Sequence, residues 1–377
     1  MGRYAGRFVV ETHAHAQRAV IGFKERGIKA PSIRDIYTEV STVQWVDNSE
    51  RLLYDMERYG IDMCILQSGG LARGMDNDLD VQISERHPGK FAVLCYPTTI
   101  LNKASRGEAK WTIEEALKET EERLKTGKYK GIGQGLPVTE TGRYALLWAT
   151  GERKKKAESL TEGELFDRYR MFYGLAEKYK VAIAGAPHEE KLLNQLLAEY
   201  PEVPNVMQLV GWGRSARRGY IEEMCELATQ YRNFFLEMGC APAELYEVAL
   251  SDPNVGPTQI IFGTDWGASH HIYSQPGRPI RGEPFTSYVD WIRKWGAARY
   301  QTDFWGWALH QIDKLRDTLT QDELNLILGG NAARIFKLDV PFTRLFVEGR
   351  VDLWGIDWEK SVPFIPQDQV KKKSKKK

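Results

Sequence analysis

The feature that most constrains the fold of this 377-residue chain is a regular alternation of strand-like and helix-like segments. Eight short runs, rich in apolar, β-branched or aromatic residues, alternate with charged segments of helical periodicity. These runs are Phe8–Thr12, Asp62–Gln67, Phe91–Pro97, Tyr129–Gln134, Val181–Ala186, Asn205–Val210, Asn233–Met238 and Gln259–Thr264. Eight strand–helix units predict an α/β fold, a (β/α)8 TIM barrel. The competing doubly wound sheet usually has a glycine-rich loop after its first strand, where this chain has His13-Ala14-His15.

Several segments are too long for a minimal barrel. We assign residues 1–338 to the barrel and interpret 266–307, after the eighth strand, as a lid-like insert, because long inserts on a compact fold often cover a site. Residues 339–370 are rich in aromatic side chains and are expected to pack on the body or on a second subunit. Residues 371–377 contain six lysines and are expected to form a disordered tail.

The composition excludes several classes of protein. Hydrophobic residues make up 42% of the chain and charged residues 27%, as in globular proteins. No run is long and apolar enough to span a bilayer, and no signal peptide is visible, so a cytoplasmic location without membrane contact is expected. The chain has 52 basic and 51 acidic residues. Without the lysines of the tail, 46 basic residues remain, so the rest of the chain is mildly acidic and nucleic-acid binding is not expected.

The spacing of His13 and His15 indicates a metal site. Side chains alternate along a strand, so two histidines one residue apart point to the same side and can converge on one ion. Two histidines in a surface turn are the alternative interpretation. Asp265 follows the eighth predicted strand and His188 the fifth, and a barrel gathers such strand ends at one edge. Imidazole and carboxylate ligands suit Zn²⁺, Mn²⁺ or Fe²⁺, although His188 could instead cap the helix after it.

The order of these motifs resembles the amidohydrolase superfamily. The resemblance covers residues 6–338 and includes the histidine pair, Phe262-Gly263-Thr264-Asp265 and the closing segment Gly330-Asn331-Ala332-Ala333-Arg334-Ile335-Phe336. Within this superfamily, the motifs resemble most specifically the aminocarboxymuconate-semialdehyde decarboxylase-like branch, also called amidohydrolase 2. The resemblance implies a barrel with one divalent metal, commonly zinc or manganese, and often a dimer. We expect zinc first, with manganese or iron as alternatives, and a homodimer or higher homo-oligomer. The implied metal ligands are His13, His15, His188 and Asp265, and Asp265 would also transfer a proton.

One departure from this family concerns the sixth strand. The family usually has a histidine there in an H-x-G-G pattern, whereas this chain has Val210-Gly211-Trp212-Gly213-Arg214. His270 or His271 could supply the imidazole, or Arg214 could bind a substrate carboxylate beside Trp212, or the site could be degenerate. Gln134 ends the fourth strand where a bridging lysine would be needed for a second metal, and we predict that it contacts substrate.

Three functions remain open from the sequence. The first is metal-dependent, non-oxidative decarboxylation of a small aromatic or unsaturated carboxylic acid. The resemblance implies such an acid as the small-molecule partner, the substrate. The second is hydrolysis or hydration of a C–C, C–N or ester or lactone bond by metal-bound hydroxide. The third is a non-catalytic barrel that binds a ligand or serves as a partner subunit.

Overall fold

The strands form the predicted barrel in this structure, a computed structural model that describes residues 8–21, 43–68, 75–139, 160–187, 190–211, 218–267, 273–275, 278–279 and 304–339. The barrel strands are β1 (Val10–Ala14), β4 (Met63–Leu66), β5 (Phe91–Cys95), β6 (Tyr129–Ile132), β7 (Ala182–Ala184), β8 (Asn205–Met207), β9 (Phe234–Glu237) and β10 (Ile260–Ile261). They lie side by side in chain order, and every neighbouring pair is parallel. Seven of the eight predicted segments contain one of these strands, and the first, Phe8–Thr12, overlaps β1, so the (β/α)8 fold is confirmed.

Backbone hydrogen bonds close the barrel between its first and eighth strands. Thr12 N donates to Phe262 O at 3.1 Å, and His15 N donates to Trp266 O at 2.9 Å. Trp266 N in turn donates to His13 O at 2.9 Å. The segment with the two histidines is therefore fixed directly against the segment with Asp265.

Helices surround the barrel. They are α1 (Ser49–Tyr59), α2 (Asn77–Arg86), α3 (Thr98–Ser105), α4 (Ile113–Lys125), α5 (Glu162–Tyr179), α6 (Glu190–Glu199), α7 (Arg218–Gln230), α8 (Ala243–Leu250), α9 (Phe304–Asp313), α10 (Gln321–Asn325) and α11 (Asn331–Ile335). Local sequence explains their limits: Thr161 and Glu164 form a capping box at the start of α5, and Gly60 ends α1 with a positive φ of 71°. None of the helices in the described ranges is long and apolar enough to cross a membrane.

The closing motif of the sequence has a structural role at the N-terminal end of the barrel. A π-helix, Leu326–Gly330, packs against β1 so closely that a Cβ on Gly329 would lie 1.9 Å from Phe8 O. Asn331 Nδ2 donates to Pro257 O at 2.7 Å and to Ile260 O at 2.8 Å. The Asn331–Ile335 helix thus plugs the end of the barrel opposite the candidate site.

A second, four-stranded sheet continues from the site-bearing segments. It contains β2 (Gln17–Ile21), β3 (Val43–Asp47), β11 (Tyr273–Gln275) and β12 (Arg278–Pro279) in the order β12-β11-β2-β3. Strand β2 begins two residues after His15, and β11 belongs to the predicted insert 266–307. The remainder of that insert from 280 to 303, most of 339–370, and the tail 371–377 lie outside the described residues, so the domain boundaries stay predictions.

Candidate metal centre

The ends of β1 and β10 bring together three potential metal ligands. His13, His15 and Asp265 are all buried, and one ligand atom from each lies within 4.8 Å of the others. Asp265 Oδ1 lies 3.3 Å from His13 Nε2 and 2.9 Å from His15 Nε2. The two rings meet edge to face, with centroids 5.3 Å apart. The predicted convergence of these three side chains is therefore present in the structure.

Backbone geometry at the end of the eighth strand places Asp265. Its φ is +58°, in the left-handed region that few non-glycine residues adopt. Gly263, two residues earlier, packs directly on the barrel interior. A Cβ there would lie 2.3 Å from Thr12 Oγ1 and 2.7 Å from Glu237 Cδ. The Phe262–Asp265 segment therefore needs a glycine in order to reach the histidines.

The far side of each imidazole is held by an acceptor. His13 Nδ1 lies 2.9 Å from Glu237 Oε1, and His15 Nδ1 lies 2.8 Å from the backbone oxygen of Gln67. Because a carbonyl and a carboxylate accept hydrogen bonds, we assign the ring hydrogen of each neutral imidazole to Nδ1. Both Nε2 lone pairs then face the Asp265 carboxylate, which is the arrangement of histidines that ligate a metal.

This donor set fits a divalent cation. In their neutral forms the two imidazoles present lone pairs to an anionic oxygen, so the cluster contains three acceptors and no donor of its own. His13 Nε2 is buried and makes no hydrogen bond to the part of the chain that the structure describes. Two nitrogens and one carboxylate oxygen are ligands that zinc, manganese and iron accept.

The charges around His13 favour a cation at this position. Burial alone would lower the pKa of His13, but the carboxylates of Glu237 and Asp265 and the hydrogen bond to Glu237 raise it to about 9. Without a metal, a proton on His13 therefore offsets the two carboxylates near neutral pH. A metal would take over that role and release the proton.

Glu11 is hydrogen-bonded to both segments that carry the proposed ligands, the one with His13 and the one with Asp265. This fully buried carboxylate accepts from His13 N at 2.7 Å and from Thr264 N at 2.8 Å. It also accepts from Thr264 Oγ1 at 2.6 Å and from Trp305 Nε1 at 2.7 Å. Burial raises the pKa of Glu11 to about 7, although these hydrogen bonds oppose the shift. Glu11 is not among the site residues predicted from the sequence; its one signal there is an acidic residue directly after the apolar run Phe8-Val9-Val10.

A layer of polar side chains lies beside the histidines inside the barrel. Gln67 Nε2 donates to Thr12 O at 2.7 Å, and Gln208 Nε2 donates to Gln67 Oε1 at 3.0 Å. Glu237 Oε1 accepts from Leu209 N at 3.1 Å as well as contacting His13. The layer fixes the histidine rings through contacts that connect strands far apart in the sequence.

The other predicted site residues have different outcomes. Gln134 follows β6 and is buried, at the same end of the barrel strands as the histidines; its contact with substrate stays a prediction. Five predicted residues lie outside the described residues: His188, Trp212, Arg214, His270 and His271. Their roles as ligand, substrate contact or catalytic group also stay predictions.

Comparison with known proteins gives matches among solved structures. No protein-family model and no curated protein sequence matches the chain. An amidohydrolase from Burkholderia multivorans with bound zinc aligns over 88% of this chain and 100% of its own, at 11% identity and a TM-score of 0.46. A dihydroxybenzoic acid decarboxylase from Polaromonas with bound manganese aligns over 91% and 99%, at 12% identity and a TM-score of 0.44. A 4-oxalomesaconate hydratase from Rhodopseudomonas palustris aligns over 88% and 96%, at 14% identity and a TM-score of 0.47.

Proposed function

We propose that this chain is a metal-dependent enzyme with one divalent ion at the His13–His15–Asp265 cluster. The observation that carries the proposal is the convergence of two Nε2 atoms on the Asp265 carboxylate, with His13 Nε2 buried and without a hydrogen bond among the described residues. Zinc is the metal we expect first, and manganese and iron are the alternatives. His188 is included as a fourth ligand on the basis of its place in the sequence.

The chemistry depends on how the surrounding residues hold this cluster. When bound, the metal supplies a Lewis acid that polarises a substrate oxygen. Glu237 and the Gln67 carbonyl fix the two rings, so that little reorganisation accompanies binding. Asp265 is 5% exposed, and water is largely excluded around it. One of its oxygens faces the imidazoles, so the second can hold or transfer a proton.

The reaction that we propose is non-oxidative decarboxylation of a small aromatic or unsaturated carboxylic acid. Such a reaction replaces a carboxylate on carbon with a proton and releases CO₂, and Asp265 is proposed to transfer that proton. Arg214, Trp212 and Gln134 are proposed to bind the acid, with His270 or His271 as the added imidazole. Hydrolysis or hydration is the alternative outcome, since the same cluster could activate water.

The metal site is tested by zinc binding. Protein stripped with a chelator and titrated with Zn²⁺ should bind one ion per chain, and replacing His13, His15 or Asp265 with alanine should weaken binding by at least about 10-fold. His87→Ala, at the end of α2, is the matched control and should bind zinc as the wild type does. Unchanged zinc binding in His13→Ala would contradict the proposal.

The reaction is tested by its products. Zinc-loaded protein should release CO₂ from at least one member of a panel of aryl and unsaturated carboxylic acids, with a solvent deuteron entering the vacated carbon. Incorporation of ¹⁸O from solvent into the product, without CO₂, would instead support hydrolysis or hydration. Failure of the whole panel to release CO₂ would rule against decarboxylation.

A further inference from the structure

Gln208 has a buried acceptor that receives no hydrogen bond from the residues that the structure describes. The residue is 1% exposed, and no donor in the described ranges forms a hydrogen bond with its Oε1 atom. Buried side-chain oxygens are nearly always hydrogen-bonded in folded proteins, because leaving one unpaired costs free energy. An unpaired acceptor beside a candidate active site therefore indicates a group that arrives with a ligand.

The position of Gln208 places this acceptor inside the barrel. Gln208 follows β8, and the sheet order separates β8 from β4 by half of the eight-stranded barrel. Gln208 Nε2 nevertheless donates to Gln67 Oε1, just after β4, at 3.0 Å. The two amides must therefore meet across the barrel interior.

The same amide lies next to the candidate metal centre. Gln208 Nε2 is 3.5 Å from Glu237 Oε2, and the other oxygen of that carboxylate contacts His13 Nδ1. Just after the neighbouring strand β7, a Cβ on Gly185 would lie 3.0 Å from Gln208 Oε1 and 2.4 Å from Gly135 N, so a glycine there lets the backbone pack close to this amide oxygen. The Glu237 carboxylate therefore contacts both the amide that carries the unpaired oxygen and the proposed ligand His13.

The chemistry of the neighbours fixes which end of the amide is unpaired. Gln208 Nε2 faces two oxygens, Gln67 Oε1 and Glu237 Oε2, both of which accept. Exchanging Nε2 and Oε1 would bring acceptors together and lose both contacts. Gln208 therefore presents an acceptor, which attracts a hydrogen-bond donor and disfavours a carboxylate.

We infer that Gln208 is a specificity-determining residue whose Oε1 accepts a hydrogen bond from an O–H group of the ligand. The inference rests on the proposed function, in which the metal binds an oxygen of a small carboxylic acid. Gln208 then distinguishes the two ends of that acid, because the anionic end binds the cation and the hydroxyl end meets the amide oxygen. A site with an unpaired buried acceptor discriminates against analogues that lack the donor.

The experiment compares matched ligands on zinc-loaded, full-length protein by calorimetry. The probes are benzoate, its 2-, 3- and 4-hydroxy derivatives, and the corresponding methoxybenzoates, which fill similar space without an O–H donor. At least one hydroxybenzoate should bind about 10- to 100-fold more tightly than its methoxy counterpart. In Gln208→Met, which keeps the length of the side chain but has no amide oxygen, this preference should fall below about 3-fold.

A second buried glutamine provides the control. Gln311 Oε1 already accepts from Ala243 N at 3.2 Å and from Lys314 Nζ at 3.1 Å, so Gln311→Met should leave the hydroxyl preference unchanged. If Gln208→Met does not fold, a structure of the wild type with zinc and the preferred hydroxybenzoate replaces it. That structure should show the hydroxyl oxygen within about 3.2 Å of Gln208 Oε1.

The failures can be told apart. Equal affinities for hydroxy, methoxy and unsubstituted acids, with zinc bound normally, would overturn this inference alone. A hydroxyl preference that persists in Gln208→Met would also overturn it, because another group would then accept the hydrogen bond. Absence of binding by every acid would overturn it together with the proposed substrate class, and absence of zinc binding would overturn the proposed function itself.

Discussion

His13 Nδ1 lies 2.9 Å from Glu237 Oε1, and both side chains are entirely buried. The contact joins the first barrel strand to the seventh across 224 residues of sequence. It orients the His13 ring so that Nε2 faces Asp265. The carboxylate also increases the electron density on the imidazole, which makes Nε2 a better ligand.

Glu237→Gln should therefore weaken zinc binding while leaving the fold intact. The amide oxygen of glutamine can still accept from Nδ1, but the negative charge is lost. We expect a loss of about 10- to 100-fold in zinc affinity, measured by competition with a chelating dye. Glu244→Gln, exposed in the first turn of α8, is the control and should retain wild-type affinity. An unchanged dissociation constant in Glu237→Gln would show that the contact does not tune the metal site.

The sequence predicted the barrel because a parallel strand buried on both faces leaves a simple pattern. Its apolar run is short, and a segment of helical periodicity follows. Phe91–Pro97 is such a run and contains β5, Phe91–Cys95. His13 and His15 could be predicted as a pair for a similar reason, since period-two alternation is a local property of a strand. Asp265 required the further step that a barrel brings its first and last strands together.

The supporting residues could not be predicted from local pattern. Glu11 is stabilised by Thr264 and Trp305, and Gln208 meets Gln67 across the barrel. These partners are 141 to 294 residues apart in the sequence. Their pairing depends on which strands face each other and on side-chain register, neither of which the periodicity of a segment specifies.

Glu11→Gln should lower both stability and zinc affinity. Glu11 accepts from four donors, and an amide presents an NH₂ group to some of them, so at least one buried donor loses its partner. We expect the free energy of unfolding of the metal-free protein in urea to fall by about 1–3 kcal/mol. Trp305→Phe removes one of the four donors and should leave zinc affinity closer to wild type. If Glu11→Gln binds zinc and unfolds as the wild type does, Glu11 does not hold the two segments together.

Asp80 should make stability depend on pH in the acidic range. It is fully buried and accepts from Gln17 Nε2 at 2.9 Å and from Ser68 Oγ. Burial raises its pKa from 3.8 to about 6, although both hydrogen bonds oppose the shift. The folded state therefore binds a proton more tightly than the unfolded state does. The contribution of Asp80 to the free energy of unfolding should fall as the pH rises from about 4 to 6, by about 2–3 kcal/mol.

Asp80→Asn tests this pH dependence. Asparagine mimics the protonated acid, so the variant should lack this decrease and should be more stable than the wild type above pH 6. Urea unfolding of metal-free protein between pH 4 and 8 measures the difference. Asp317→Asn, at an exposed site, should parallel the wild type. Parallel curves for Asp80→Asn and wild type would contradict the assignment.

Two glycine-to-alanine changes should shift the free energy of unfolding in opposite directions. At Gly263, a Cβ would overlap Thr12 Oγ1 at 2.3 Å and Glu237 Cδ at 2.7 Å, so one of these groups must move. Gly263→Ala should lower the free energy of unfolding by about 1–3 kcal/mol. It should also weaken zinc binding, because Glu237 orients His13.

Gly174 provides the contrast within α5. A Cβ at Gly174 meets nothing within 4 Å, and alanine has the higher helix propensity. Gly174→Ala should therefore raise the free energy of unfolding by about 0.5–1 kcal/mol and leave zinc affinity unchanged. The midpoints of urea unfolding measure the stability of the two variants, and zinc titrations measure their zinc affinity. Wild-type stability and wild-type zinc affinity in Gly263→Ala would mean that the end of the eighth strand can move away from Glu237 without disturbing the histidines.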